Sequence, residues 1–185
     1  MILPVVAYGD TVLRKKAEDV KSDYPRIQEI IADMFETMYN ASGVGLAAPQ
    51  IGLSIRLFIV DAAPFADDDK KLKLFKRVFI NAHIVEEEGN EWSFNEGCLS
   101  IPGVREDIMR KPVINLRYCD ENFAVHTETF KGMAARIIQH EYDHIDGVLF
   151  TDKVTPLKKR LLKGKLNDIS NGKVNVDYRM RFVKR

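Results

Sequence analysis

In "SDYPRIQEIIADMFETMYNASG" the apolar residues Ile27, Ile30, Ile31, Met34 and Met38 return every three or four positions, which puts them on one face of a helix. Ser22 or Asp23 is placed to cap that helix, Pro25 suits its first turn, and Gly43 follows its end. The period then changes. "IRLFIVD" is a β-branched and aromatic run that reads as a buried strand, and "RVFINAHIVEEEG" reads as a second strand ending in an acidic turn. Between them, residues 62–76 ("AAPFADDDKKLKLFK") carry three aspartates and then lysines, the pattern of a solvated loop. "PVINLRYCDENFAVHTETF" predicts a hairpin turning at "DEN". Helical spacing returns in "KGMAARIIQHEYDHIDG", with Gly147 as its stop. Leu157, Leu161, Leu162 and Leu166 then stripe a helix over 155–170. Past "SNGK", residues 173–183 form a strand-like tail in which Val174, Val176, Tyr178, Met180 and Phe182 share one face.

The chain of 185 residues has the length of a single domain, and no internal repeat divides it. With 45% hydrophobic and 30% charged residues it has an ordinary globular balance. A formal net charge of +1 gives no global field that would draw DNA or a membrane. The opening apolar run is short and lacks a basic segment before it, and no stretch approaches the roughly 20 apolar residues that cross a bilayer. Two cysteines, Cys98 and Cys119, are too few for a disulfide framework. A reducing, cytoplasmic setting is the expectation. Locally, charge is less even: six Lys or Arg and no acid lie from Lys153 to Lys165. A solvated face explains that run, and contact with an anionic partner such as RNA is the alternative.

The chemistry is concentrated in "QHEYDHIDG". His140 and His144, four residues apart, lie one turn apart on the same helical face, with Glu141 directly after the first. In this H-E-x-x-H arrangement two imidazoles hold a metal and the glutamate handles the protons of a water. A hydrolytic metal site normally takes a third protein ligand. His83 and His126 fall in strand-like segments, where a histidine is more often structural, and Cys119 ends a hairpin strand as a small packed hydrophobe. Cys98 stands instead in "NEGCLSIPG", flanked by glycines that let backbone approach a bound group. A Cys and two His form a recognised catalytic set. "GVGLAAPQIG" also matches a dinucleotide fingerprint through Gly43, Gly45 and Ala48, but a helix precedes it and Pro49 follows, against that fold. It reads better as a loop lying close to a substrate, with Gln50 offering its amide.

In this order and spacing, "GVGLAAPQIG", "EGCLSIPG" and "QHEYDHIDG" are similar to the three signature motifs of the peptide deformylases. The resemblance covers roughly residues 2–150, and thins in the 62–76 loop and beyond the last motif. It implies an α+β fold with antiparallel sheets around a central metal-binding H-E-x-x-H helix, here followed by the C-terminal helix and tail. It implies a hydrolase that removes the formyl group from N-terminal formyl-methionine of newly synthesised polypeptides. It also implies one divalent metal ion, ferrous iron (Fe2+) physiologically, with Zn2+, Ni2+ or Co2+ able to take its place.

Carried onto this chain, the resemblance makes Cys98, His140 and His144 the metal ligands and Glu141 the proton carrier. Gln50 and the backbone N–H of Leu99 become the donors to the oxyanion. Met133 and Ile137, on the His140 face of the helix, with Val44 and Phe94 opposite, would receive the methionine side chain, and Gly45 would offer its backbone to the peptide. Asp143 is expected to pair with an arginine, and Glu96 to anchor its loop through Arg110. The expected partners are formyl-methionyl nascent peptides and, through the basic helix, the ribosome. Two rivals share parts of the pattern: a small H-E-x-x-H metallopeptidase, and a non-enzymatic module in which zinc ties loop to helix.

Overall fold

The computed structural model describes residues 1–183. In chain order it forms β1 (Val5–Val6), α1 (Ile27–Asn40), β2 (Gly45–Ala47), β3 (Leu57–Asp61), β4 (Lys76–Glu88), β5 (Trp92–Cys98) and β6 (Ile101–Arg110). There follow β7 (Val113–Cys119), β8 (Val125–Lys131), α2 (Gly132–Ile145), α3 (Pro156–Ser170) and β9 (Met180–Arg181). The main sheet has five antiparallel strands in the order β2-β3-β4-β7-β8. A separate hairpin joins β5 to β6, and β1 pairs with β9 in parallel. The architecture is α+β.

The periodic apolar faces read for α1 and α2 are buried, whereas the stripe read on α3 is not: of its four leucines only Leu166 is buried, and Leu157 and Leu161 face solvent. From α1, Ile27, Ile31, Met34 and Met38 pack with Leu57, Ile59 and Ile80 of the sheet. From α2, Ala134, Ala135, Ile137, Ile138 and Ile145 pack with Phe58, Phe79, Ile114 and Leu116. Each such large side chain contributes about 1.5–3 kcal/mol on burial. Phe79 sits between Phe58 (4.9 Å) and Tyr118 (4.7 Å), and anchors the second cluster. A third cluster joins Ile101, Val104 and Ile108 of β6 to Leu166 and Ile169 of α3. Helix α2 thus lies between the main sheet and the hairpin. Among the described residues no helix is long and apolar enough to cross a membrane.

The helix ends show how the chain is punctuated. After α2, the N–H of Val148 bonds back to Asp143 O at 2.8 Å while Gly147 takes φ +75, the left-handed turn that glycine adopts at least cost. After α1 the same closure runs from Gly43 N to Met38 O (2.9 Å), but Ser42 takes the positive φ (+54). Gly43 is small for another reason: a Cβ there would lie 2.9 Å from Leu99 Cδ1.

Four expectations need correction. Helix α1 starts at Ile27 without a cap from Ser22 or Asp23, because Arg26 at φ +58 turns the path away from Pro25. Residues 62–76 are not simply solvated: two 3-10 turns (Ala63–Phe65, Lys70–Leu74) bury Leu72 and press Phe65 and Phe75 onto the core. The loops around Gly45 and Cys98 are partly strand, since β2 holds Gly45–Ala47 and Cys98 closes β5. In the 173–183 tail only Met180–Arg181 pairs as a strand, although burial alternates along it as its sequence predicts.

Candidate active site

Strand β5 brings two functional groups to one face. Glu96 and Cys98 are two residues apart and so point the same way. The ladder with β6 slips just beyond Gly97, which faces Arg105 whereas Cys98 faces Ile101, so the extra residues lie on β6 and the alternation of β5 runs on to the thiol. From α2, His140 and His144 meet it, their ring centroids 5.2 Å apart. One donor atom from each of Cys98, His140 and His144 lies within 4.8 Å of the others, and Cys98 Sγ is 3.3 Å from His144 Nε2. With metal–ligand bonds of about 2.0–2.3 Å, the corners of a tetrahedral site stand about 3.5 Å apart. The residues therefore fit a divalent metal of borderline softness.

Behind the histidines lies a buried ionic cluster. Glu96 Oε2 contacts His140 Nδ1 at 2.9 Å, which turns the other ring nitrogen toward the thiol. Arg110 donates to both Glu96 oxygens (2.7 and 2.9 Å) and to Asp143 (2.7 Å). Arg136 donates to Glu96 (2.9 Å), to Ile108 O and to Trp92 O, with its guanidinium 4.3 Å from the Trp92 ring centre. Burial disfavours charge on Glu96, but the hydrogen bonds from His140 and Arg110 outweigh it and hold the carboxyl well below its usual range. Two carboxylates balance two guanidiniums, so no charge in the cluster stands alone.

Glu141 is different: it is buried, and its Oε2 has no partner among the described residues. Burial pushes its pKa up to about 7, where a carboxyl can both take and return a proton near neutrality. Strand β2 passes directly over it. A Cβ on Gly45 would stand 2.8 Å from Glu141 Cγ and Cδ and nearer still to Oε1, so any larger residue would have to displace the Glu141 side chain. Gln50 Oε1 accepts from Ala47 N–H (2.9 Å), which aims its Nε2 at Cys98 Sγ (3.4 Å) and Ser100 Oγ (3.2 Å).

These groups open onto a cavity of about 630 Å³. Val44, Gly45, Gln50, Phe94, Cys98, Leu99, Met133, Ile137, His140 and Glu141 all line it. His144 lies behind, only 1% exposed. The residues set aside are elsewhere: Cys119 and His83 lie in the main sheet, and His126 pairs with Asp120 at 2.7 Å. Several lining residues went unpredicted. Phe65 comes from the 62–76 segment, Arg136 from inside α2, and Val176 and Tyr178 from the tail. The tail residues did carry a signal, an apolar alternation that finds no strand partner.

A family model described as "Polypeptide deformylase" matches residues 2–160. A "Peptide deformylase" of Christiangramia forsetii is 61% identical, covering 98% of this chain and 96% of its own. One of Flavobacterium johnsoniae is also 61% identical, covering 99% and 97%. Among solved structures, a peptide deformylase from Legionella pneumophila superposes with a TM-score of 0.80 at 38% identity, covering 94% of this chain and 98% of that one. One from Plasmodium falciparum, described as a complex with inhibitor, gives 0.78 at 34% identity, covering 90% and 99%.

Proposed function

The chain belongs to the polypeptide deformylase family, and from that premise we propose how its own residues carry the reaction. The reaction is hydrolysis of the formamide bond on the N-terminal formyl-methionine of newly synthesised polypeptides, with release of formate. The metallopeptidase alternative is not favoured by these relatives. The observation that carries the residue assignment is the convergence of Cys98, His140 and His144 donor atoms within 4.8 Å, with Glu141 beside them at the cavity.

In this reading Cys98 at the end of β5, with His140 and His144 on α2, the central metal-binding helix, would hold one divalent metal, Fe2+ physiologically. When bound, such an ion supplies Lewis acidity toward the formyl oxygen and lowers the pKa of the attacking water. Glu141 accepts the proton of that water and delivers it to the departing amine, which its unpaired, buried carboxylate suits. Gln50 Nε2 and the Leu99 N–H receive the charge that develops on the formyl oxygen, each such donor being worth about 2.7–4 kcal/mol of barrier. Val44, Phe94, Met133 and Ile137 enclose the methionine side chain, and the Gly45 backbone aligns the peptide. The rival zinc module would close its site with a fourth protein ligand, whereas among the described residues only Cys98, His140 and His144 converge as metal donors.

We take residues 1–185 as one catalytic domain, because α2, the β5–β6 hairpin, β2 and the tail all line the same cavity. A cytoplasmic location follows from the substrate. Contact with the ribosome is proposed through α3, where Lys159, Arg160 and Lys163 face solvent beside exposed Leu157 and Leu161. Lys158 is already paired with Glu106 at 2.6 Å. Membrane and DNA have no part in this reading.

The test is chemical. Metal-loaded protein should release formate from formyl-Met-Ala-Ser and leave its peptide bonds intact. Acetyl-Met-Ala-Ser should be cleaved poorly, since a site shaped for hydrogen on the carbonyl carbon meets a methyl by overlap, a stronger sieve than the ~1–3 kcal/mol of one methylene in an apolar pocket. Peptide-bond cleavage without formate, read by mass spectrometry, would refute the assignment.

A further inference from the structure

The alternating tail serves two different neighbours. Val174, Met180 and Phe182 pack against the cluster shared by β6 and α3, whereas Val176 and Tyr178 line the active-site cavity. The segment is fixed at both ends. Upstream, Gly172 at φ +74 turns the chain after α3, and a Cβ there would stand 3.5 Å from the Phe182 ring. Downstream, Val5 N–H donates to Arg179 O and Ala7 N–H to Arg181 O, both at 2.9 Å. Residues 174–178 therefore cross the edge of the cavity without a β-ladder of their own, bending at Asp177–Tyr178 before Met180 pairs with Val5.

Two further observations say what this span faces. Tyr178 Oη donates to Leu99 O at 2.8 Å, tying the tail to the turn directly after Cys98. A second hollow of about 550 Å³ adjoins the first: Asn40, Val176, Asp177 and Tyr178 line both. The open space thus runs on along the tail, well beyond the pocket for one methionyl side chain. An apolar, strand-period surface with no strand against it is what an extended peptide lies along.

We propose that Val176 and Tyr178 form the wall that contacts the substrate residues following formyl-methionine, so that the tail sets how deformylation depends on peptide length. The proposal rests on the deformylase reading. In the full-length, metal-loaded protein, kcat/KM should rise from formyl-methionine amide to formyl-Met-Ala-Ser and again to formyl-Met-Ala-Ser-Val. Val176→Ser should lower the ratio between the longest and shortest substrates about fivefold, mainly through KM, while Val176→Ile retains it. Val125→Ser, exposed on the edge strand β8 of the main sheet and outside the lining of the cavity, serves as the control and should retain it too. In the wild type, the product Met-Ala-Ser should slow amide hydrogen exchange across 175–178, a readout that needs no variant to fold.

A ratio unmoved by Val176→Ser, an equal loss on every substrate, or exchange indifferent to product would each overturn the proposal. Formate release without any dependence on length would overturn it alone. No formate from any of the three substrates would remove the deformylase reading and the proposal together.

Discussion

Gly45→Ala offers a sharp test of Glu141, because it touches the carboxylate without altering it. Gly45 is not among the residues with positive φ, so alanine can take its backbone conformation and strain there is not a confounder. The added methyl would stand 2.8 Å from Glu141 Cγ and Cδ, where ordinary contact begins at 3.4 Å. The side chain must retreat by about 0.6 Å at those atoms, and by about 1 Å at the oxygen. A misplacement of about 1 Å in a catalytic group can cost about 100-fold in rate. Overpacking costs about 1–3 kcal/mol, while replacing glycine by alanine restricts the unfolded chain and returns about 0.4–1 kcal/mol. The variant should therefore lose about 100-fold in kcat on formyl-Met-Ala-Ser for at most about 2.6 kcal/mol of stability, with its metal content unchanged. Adding Glu141→Asp, which shortens the side chain by one methylene, should make the double variant less impaired than the product of the two single losses. Steady-state kinetics, metal analysis and thermal unfolding decide it. A kcat within about threefold of wild type would show that the position of Glu141 is not rate-determining.

Glu141→Gln should keep the metal and lose about 10²–10⁴ in kcat, and a loss below tenfold would remove the proton-carrier role. Cys98→Ala should weaken metal binding, measured by competition with a chelator, whereas Cys119→Ala should not; equal retention would remove the thiolate from the ligand set. Glu96→Ala leaves two buried guanidiniums short of a partner and should cost about 3–5 kcal/mol in denaturant unfolding, with about 10–100-fold weaker metal affinity through a loosened His140. Unchanged metal affinity in a folded Glu96→Ala protein would separate the cluster from the site.

The parts of the fold that could be read in advance are those whose buried faces are apolar. Helices α1 and α2 and strand β3 show their periods plainly, and α2 carries both histidines in sequence view. The β5–β6 hairpin was hidden because the positions it turns inward include Glu96 and Arg110, which a hydrophobic pattern scores as exposed. The register also slips at the start of β6, where residues 102–104 have no partner, so no single period runs along that strand. Strand β2 was hidden because Gly45 is chosen for the carboxylate above it and not for strand propensity. The pairing of Glu96 with Arg110, and of Arg110 with Asp143, follows from charge compensation, since a carboxylate excluded from water needs a cation beside it. Arg136 gave no such signal, since an arginine on an amphipathic helix ordinarily reads as its wet face. The tail showed a true alternation, of which only Met180–Arg181 pairs as a strand.

The sharing of Glu96 among His140, Arg110 and Arg136 also constrains how such a sequence can drift. Losing any one cation alone leaves the carboxylate under-compensated, and losing the carboxylate alone leaves two cations exposed to each other. Each single step passes through a poorly folding intermediate, while a joint replacement by well-packed apolar residues can be neutral for stability. That joint replacement would still release the His140 ring. Selection for activity therefore closes the one path that selection for stability leaves open, and descendants of this chain should inherit the four residues as a block.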